Sequence, residues 1–468
     1  EWDAADVHVA LAFPELYEIG MSHLGLKILY HIINSRAQYL AERTFCPWPD
    51  MESQMRRRSV PLYTLESFHP VREFDIVGFS LQYEMTFTNL LTMLDLAGIP
   101  LLNSERTDND PLILAGGPSS LNPEPVADFV DAFVIGEAED VILLLLQTYD
   151  QIKKNGGSRE DVLLRWSSME GVYIPSLYEI EYAHGLFSRA RPLKEAPETI
   201  KRLWVKDLEQ APVPTAPPVP LIEAVHDRFI IEIMRGCSRG CRFCHAGMTY
   251  RPVRERTVDT ICKRIEEGLA NTGYDAVTLA SLSSTDYSRI HELITRLTGQ
   301  LSERKISLSL PSLRLDTFSI DLAERIQEVR KSGFTFAPEA ATDRLRSVIN
   351  KDYTEEDMFR SLDSALMAGW NLFKLYFMVG LPTETEEDIE AIADLVLKIR
   401  NMGRKIRGKR FRTNVSLSAF IPKPHTPFQW ENMVSEEELQ RKYRVIIRNV
   451  SARDVKINWR EPSLCLLE

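Results

Sequence analysis

The stretch RGCSRGCRFCHAG, residues 235–247, sets cysteines at 237, 241 and 244 among glycines, arginines and one histidine. The chain has six cysteines in all, so half of them fall in this one loop. A secreted protein does not lay out a disulfide framework in that way. Three thiolates on one glycine-flexible loop can instead converge on a single inorganic centre. Zinc is one reading, with His245 as a fourth ligand, but structural zinc sites usually join C-x2-4-C to a second, separate pair, and that pair is absent. A cubane iron–sulfur cluster accepts three cysteines when its fourth iron is left to another molecule, and it fits the spacing better. Cys46, Cys262 and Cys465 are scattered and read as buried or inert thiols.

Outward from the loop, RFIIEIM precedes it, and DAVTLAS, ISLSLPS, FTFAPEA, LFKLYFMVG and RTNVSLSAF follow, separated by helix-length amphipathic sequence. Six strands alternating with helices predict a partial parallel (β/α)6 barrel, with the cysteines at the carboxyl end of its first strand, where such barrels place active sites. Thr354 with Asp357, Thr385 with Asp388, and Ser435 with Glu438 have capping-box spacing at helix starts. Beyond Thr385, Ile389, Ile392, Leu395, Val396 and Ile399 fall on one helical face. Before the loop, VHVALAF, FDIVGFSL, PLILAGGP and AFVIGEAED alternate with amphipathic helical runs. That pattern predicts an α/β, doubly wound, Rossmann-like sheet, whose strand ends carry PELYEIG, QYEMT, GGPSS and GEAED. The proline-rich APVPTAPPVP at 211–220 reads as an extended connector. The expected organisation is a sheet domain at 1–150, a connector at 151–225, a barrel at 226–430 and a C-terminal extension at 431–468.

A net charge of −11 disfavours wholesale nucleic-acid binding. Two basic runs, Arg404–Arg412 and Arg56–Arg58, read first as solvated surface and second as polyanion sites. The longest apolar run, Val141–Leu146, is too short to span a bilayer. The expected location is the cytoplasm, since no basic segment followed by an apolar stretch and a cleavage site opens the sequence.

The C-x3-C-x2-C loop, with Phe243 just before its last cysteine, resembles the signature of the radical S-adenosylmethionine (SAM) superfamily. The resemblance implies that Cys237, Cys241 and Cys244 hold a [4Fe–4S] cluster whose open iron chelates SAM. It implies reductive cleavage to methionine and a 5′-deoxyadenosyl radical, with an electron donor such as flavodoxin or ferredoxin. Further segments resemble the family's later strands, and the likeness makes Phe243, Ser281, Ser283, Ser312, Arg314, Glu339 and Gly380 candidate cofactor-binding residues. An arginine suits the SAM carboxylate because its planar fork meets two oxygens. Gly380 is expected to let backbone approach the adenine.

The N-terminal half is similar to the cobalamin-binding domain that some radical SAM proteins carry, so cobalamin is a candidate further cofactor. The likeness departs at the first loop. Domains that supply an axial histidine use D-x-H-x-x-G, whereas Glu18, His23 and Gly25 do not give that spacing, and His23 reads as packing or capping the next helix. With cobalamin, the implied chemistry is methyl transfer to an unreactive carbon. Without it, the chain would modify RNA or a protein by radical chemistry. A noncatalytic iron–sulfur sensor is the alternative from another class. The substrate, small molecule or macromolecule, is not specified, and no residue is assigned as an acid or base.

Overall fold

VHVALAF forms β1 (Val7–Phe13), where only His8 is partly open and all six other residues are buried. A parallel strand covered on both faces requires that pattern. β1 pairs in parallel with β2 (Tyr39–Phe45) and β3 (Ile76–Ser80). β4 (Leu112–Gly116) and β5 (Ala132–Val134) continue the parallel sheet, and β6 (Val172–Tyr173) closes it antiparallel. The order β2-β1-β3-β4-β5-β6 reverses between β1 and β3, which is the doubly wound arrangement. On one face Val9, Leu11, Phe13, Leu114 and Val134 pack with the helices Leu24–Asn34 and Ile142–Lys154. On the other, Ala10, Ala12, Val77, Phe79 and Phe133 pack with residues of Pro49–Arg58 and Phe87–Ala97.

This computed structural model describes residues 2–311, 334–450, 452 and 454–468. It divides into two units, Glu1–Asp227 and Arg228–Glu468. The segment after β6 therefore belongs with the sheet. It begins with a hairpin of β7 (Tyr178–Ala183) and β8 (Leu186–Pro192). Leu203 then runs parallel beside Gly136, its amide donating to Ile135 O at 2.8 Å and its carbonyl accepting from Glu137 N at 3.1 Å. Gly136 has φ +114°, and a Cβ there would sit 2.2 Å from Leu203 O, so the approach needs glycine. Farther on, Leu221 N donates to Tyr17 Oη at 2.9 Å, Val225 N to Glu18 O at 3.2 Å and His226 N to Ser22 Oγ at 2.8 Å.

The second unit opens with β9 (Phe229–Glu232) and a short antiparallel ribbon of β10 (Met234–Arg235) and β11 (Arg254–Glu255). β12 (Ala276–Ala280) and β13 (Ser307–Ser309) join β9 in one parallel sheet of order β13-β12-β9. A second parallel sheet holds β14 (Phe334–Glu339), β15 (Leu372–Val379), β16 (Arg412–Ala419) and β17 (Val455–Trp459) in chain order. The strand in the C-terminal extension thus adds to the parallel array beside β16. Residues 312–333 lie outside the described residues, and the candidates Ser312 and Arg314 with them.

Capping is as the spacing predicts at two helices. Thr354 and Thr385 form reciprocal capping boxes with Asp357 and Asp388. At the third, Ser435 accepts from Glu438 N and opens the helix Glu436–Asn449. The helix Glu386–Arg407 buries Ile389, Ile392, Leu395, Val396 and Ile399, the predicted face. Among the described residues, no helix is long and apolar enough to cross a membrane.

Candidate active site at the cysteine loop

The cysteine loop leaves the carboxyl end of β9 and is closed at its neck by the β10–β11 ribbon. Gly236, at φ +91°, makes that closure fit, because a Cβ would lie 2.5 Å from Pro252 O and 2.6 Å from Tyr250 O. The loop is then braced from the segment after β14. Asn350 Nδ2 donates to Arg239 O at 3.2 Å and Gly240 O at 2.9 Å. Arg242 N donates to Ile349 O at 3.0 Å, and the Arg242 guanidinium reaches Ser347 O at 3.3 Å and also Val348 O. From beyond β16, Phe428 N donates to Arg242 O at 3.3 Å. Phe243 packs against the cluster of Ala340, Leu345, Ile349, Leu381, Phe420 and Phe428, which anchors the loop by its aromatic residue.

Cys237, Cys241 and Cys244 are half-buried and free of disulfides. Burial raises the Cys244 thiol above its ordinary value; the Gly247 amide, which donates to Sγ at 3.3 Å, works against this, Cys241 and Cys237 add to it, and Lys351 opposes it. Three half-buried thiols on one loop suit a multiply charged centre that displaces their protons. The C-x3-C-x2-C spacing, with no second cysteine pair beside it in the sequence, suits a [4Fe–4S] cluster better than structural zinc. The residues present fit a [4Fe–4S] cluster. Cys46, Cys262 and Cys465 are buried, as expected of inert thiols, and burial raises the Cys46 thiol to about 11.

At the end of β12, Ser281 is half-buried and shares a 2.9 Å hydrogen bond with Ser284, which donates to Pro311 O at 2.6 Å. Ser283 is fully buried, and its hydroxyl donates to Asp286 Oδ2 at 2.7 Å. Asp286 in turn takes both arms of the Arg239 guanidinium, Nε at 2.8 Å. Of the two serines, Ser281 is therefore the more open, while Ser283 supports the clamp that ties the cysteine loop to β12. At the end of β14 a bulge around Pro338 interrupts the pairing with β15 and leaves Glu339 at φ +64°. Glu339 is ion-paired with Lys351 at 3.1 Å, and Lys351 also donates to Ala337 O. At the end of β15, Gly380 has φ +85°, and its amide donates to both Glu384 oxygens, at 2.9 and 3.0 Å. A Cβ on Gly380 would meet Val434 Cγ2 at 2.8 Å, so the glycine serves the turn and this contact. Lys442 completes the turn with a buried ion pair to Glu384 at 2.7 Å. Arg239, Asp286, Asn350, Lys351 and Lys442 were invisible as site residues in the sequence. A Ser-x-x-Asp spacing at 283–286 was the one local sign.

In the first unit, His23 Nδ1 accepts the Leu26 amide at 3.1 Å and caps the helix Leu24–Asn34. Because Nδ1 is the acceptor, the neutral ring carries its proton on Nε2. Ligation of cobalt through Nε2 would need the opposite tautomer, so His23 does not fit as an axial ligand to cobalamin. Burial pushes His23 down to about 4, a hydrogen bond with Gln82 opposing and Lys27 assisting. Of the basic runs, Arg56 pairs with Glu52 and Asp95, Arg404 pairs with Asp454, and Arg407 binds Asn371 and Gly369 O. The second run enters β16 at its amino end, opposite the strand ends that carry the cysteine loop. A cavity of about 320 Å³ lined by Asn103, Asp131, Arg159 and Lys194 lies at the amino end of β5, again away from the strand ends of interest.

The chain matches the family described as "Radical SAM superfamily" over residues 231–396, and "Radical SAM proteins, N-terminal" over residues 25–175. It is 31% identical over 438 residues to the uncharacterised protein MJ0966 of Methanocaldococcus jannaschii, covering 93% of this chain and 82% of that one. It is 25% identical over 185 residues to the tRNA-2-methylthio-N(6)-dimethylallyladenosine synthase of Staphylococcus epidermidis, covering 38% of this chain and 36% of that one. Among solved structures, the radical SAM methyltransferase TsrM of Kitasatospora setae, with cobalamin and a [4Fe–4S] cluster bound, superposes with a TM-score of 0.60 at 15% identity, over 90% of this chain and 73% of that one. The cobalamin-dependent SAM radical enzyme OxsB gives 0.55 at 13% identity, over 94% of this chain and 56% of that one. With a braced trio of cysteines at the carboxyl end of its first barrel strand, the chain belongs to the radical SAM superfamily of enzymes.

Proposed function

We propose that this radical SAM enzyme performs methyl transfer to an unactivated carbon of an organic substrate, with its N-terminal unit serving a corrinoid. The observation that supports the reading most is the pairing of folds: a doubly wound unit and a cysteine-loop unit in one chain, the combination found in TsrM and OxsB. When bound, the [4Fe–4S] cluster supplies the electron that splits the SAM sulfonium into methionine and a 5′-deoxyadenosyl radical. Cys237, Cys241 and Cys244 would hold it and leave one iron for the SAM amino and carboxylate groups. Arg239, Arg242 and Asn350 keep the loop in place, so that binding does not have to order it. In this reading Ser281 meets the SAM amino group, Glu339 faces SAM and the Gly380 turn carries the adenine; the half-buried position of Ser281 at the end of β12 supports its part. Ser312 and Arg314 keep their proposed roles toward SAM from sequence alone.

With its Nδ1 spent on the Leu26 amide, His23 leaves a corrinoid to be held without an axial ligand from that residue. RNA modification by sulfur insertion has less support. The likeness to the methylthio-tRNA synthases covers 38% of the chain, no second cysteine trio exists, and the basic run is partly consumed by internal pairs. The test is anaerobic purification from cobalamin-fed cells, followed by assay of iron, sulfide, corrinoid and 5′-deoxyadenosine. Cluster, corrinoid and SAM cleavage together support the reading. A full cluster that cleaves SAM with no corrinoid removes cobalamin-dependent methylation, and a cluster that never cleaves SAM makes the chain a sensor.

A further inference from the structure

The Lys351–Glu339 pair has no role in holding the loop, yet it is placed beside it. Lys351 follows Asn350, whose amide grips Arg239 O and Gly240 O between the first two cysteines. Its side chain is 11% exposed and its partner's 15%, so the two charges are largely withdrawn from solvent screening. The ammonium is fixed by Glu339 Oε1 at 3.1 Å and by Ala337 O, and Glu339 is itself fixed by its left-handed backbone at the end of the β14 bulge. The ammonium's field reaches Cys244. The ammonium thus stands on the residue next to the one that grips the cysteine loop, with its carboxylate partner fixed 3.1 Å from it.

We propose that Lys351 tunes the reduction potential of the cluster held by Cys237, Cys241 and Cys244, and that Glu339 moderates that effect. The inference rests on the radical SAM reading. In the step concerned, the oxidised cluster takes one electron from an external low-potential one-electron reductant; no bond forms or breaks. A nearby ammonium stabilises the more negative, reduced cluster and raises its potential, and a nearby carboxylate lowers it. Glu339, through its ion pair with Lys351, would restrain the potential.

The experiment is a redox titration of the reconstituted full-length protein without SAM, read by electron paramagnetic resonance, for wild type, Lys351→Met, Lys351→Arg and Glu339→Gln. Iron and sulfide contents and line shape are read first. Lys351→Met is expected to lower the midpoint potential, Glu339→Gln to raise it, and Lys351→Arg to leave it near wild type. A purely structural role would change cluster content or line shape and would not move the potential in opposite directions for the two variants. Coincident potentials, or shifts of the same sign, overturn the proposal. If Lys351→Met loads no cluster, Glu339→Gln against wild type decides alone, a rise supporting it and no rise overturning it. A wild-type protein that forms no cluster, or that has one but cleaves no SAM, defeats the enzyme reading instead, which separates the two failures.

Discussion

His23 gives the first unit a built-in sensitivity to acid. Its ordinary value is 6.5, and in the fold burial drives it to about 4. Between those values the unfolded chain binds a proton that the folded chain refuses, so the stability is complete above 6.5 and is lost as pH falls toward 4. From pH 7.5 to 5.0 the loss comes to about 2 kcal/mol, at about 1.36 kcal/mol per unit. That is an upper figure, because the ring keeps some accessible surface. The chemistry behind it is local: a proton on Nδ1 would face the Leu26 amide, and the helix Leu24–Asn34 would lose its cap. The perturbation is His23→Asn, which retains a side-chain acceptor for the cap and does not titrate. Urea unfolding of the two full-length proteins at both pH values, with hydrogen exchange of the helix amides as a local readout, measures the difference. Wild type should lose about 2 kcal/mol more than the variant on acidification. Parallel pH profiles would refute the argument, and with it the tautomer that disqualifies His23 as a cobalt ligand.

Three further outcomes follow from the packing. Lys442→Met leaves Glu384 buried without its cation and should cost about 3–5 kcal/mol in thermal or denaturant unfolding, with much of the loss recovered when Glu384→Gln is added. Asn350→Gly tolerates the φ of +57° but removes both bonds to the cysteine loop. It should lower the iron bound after reconstitution, with a stability loss of about 1–3 kcal/mol. Gly136→Ala forces a side chain against Leu203 O in a left-handed backbone, and should destabilise the fold by more than about 1 kcal/mol and speed proteolysis between Leu203 and Leu221.

The parts of this protein that repeat with a short period were legible in its sequence. The near-continuous apolar runs of β1 and β3, the face of the helix Glu386–Arg407 and the cap at Thr385 each depend on neighbours a few positions away. The cysteine loop was legible for the same reason. What surrounds it was not, because Asn350 meets Gly240 across 110 positions, Arg242 meets Val348 across 106 and Arg239 meets Asp286 across 47, and no local pattern encodes such meetings. Ser283 shows the opposite hazard. A serine at a strand end suggests a ligand contact, and this one donates its proton to Asp286, which also fixes the loop's position. Gly380 is similar: the turn required glycine for its backbone and for Val434, whatever approaches the other side.

The attachment of Leu203 to Gly136, and of Leu221, Val225 and His226 to the first loop, also bears on heredity. A recombination that ended the sheet module at its last parallel strand would deprive β5 of the backbone that its glycine evolved to admit, and would leave the β1 loop short of three donors. The inheritable unit is therefore longer than its sheet. Exchange between related chains would preserve both partners of every such contact only when the crossover falls after Asp227.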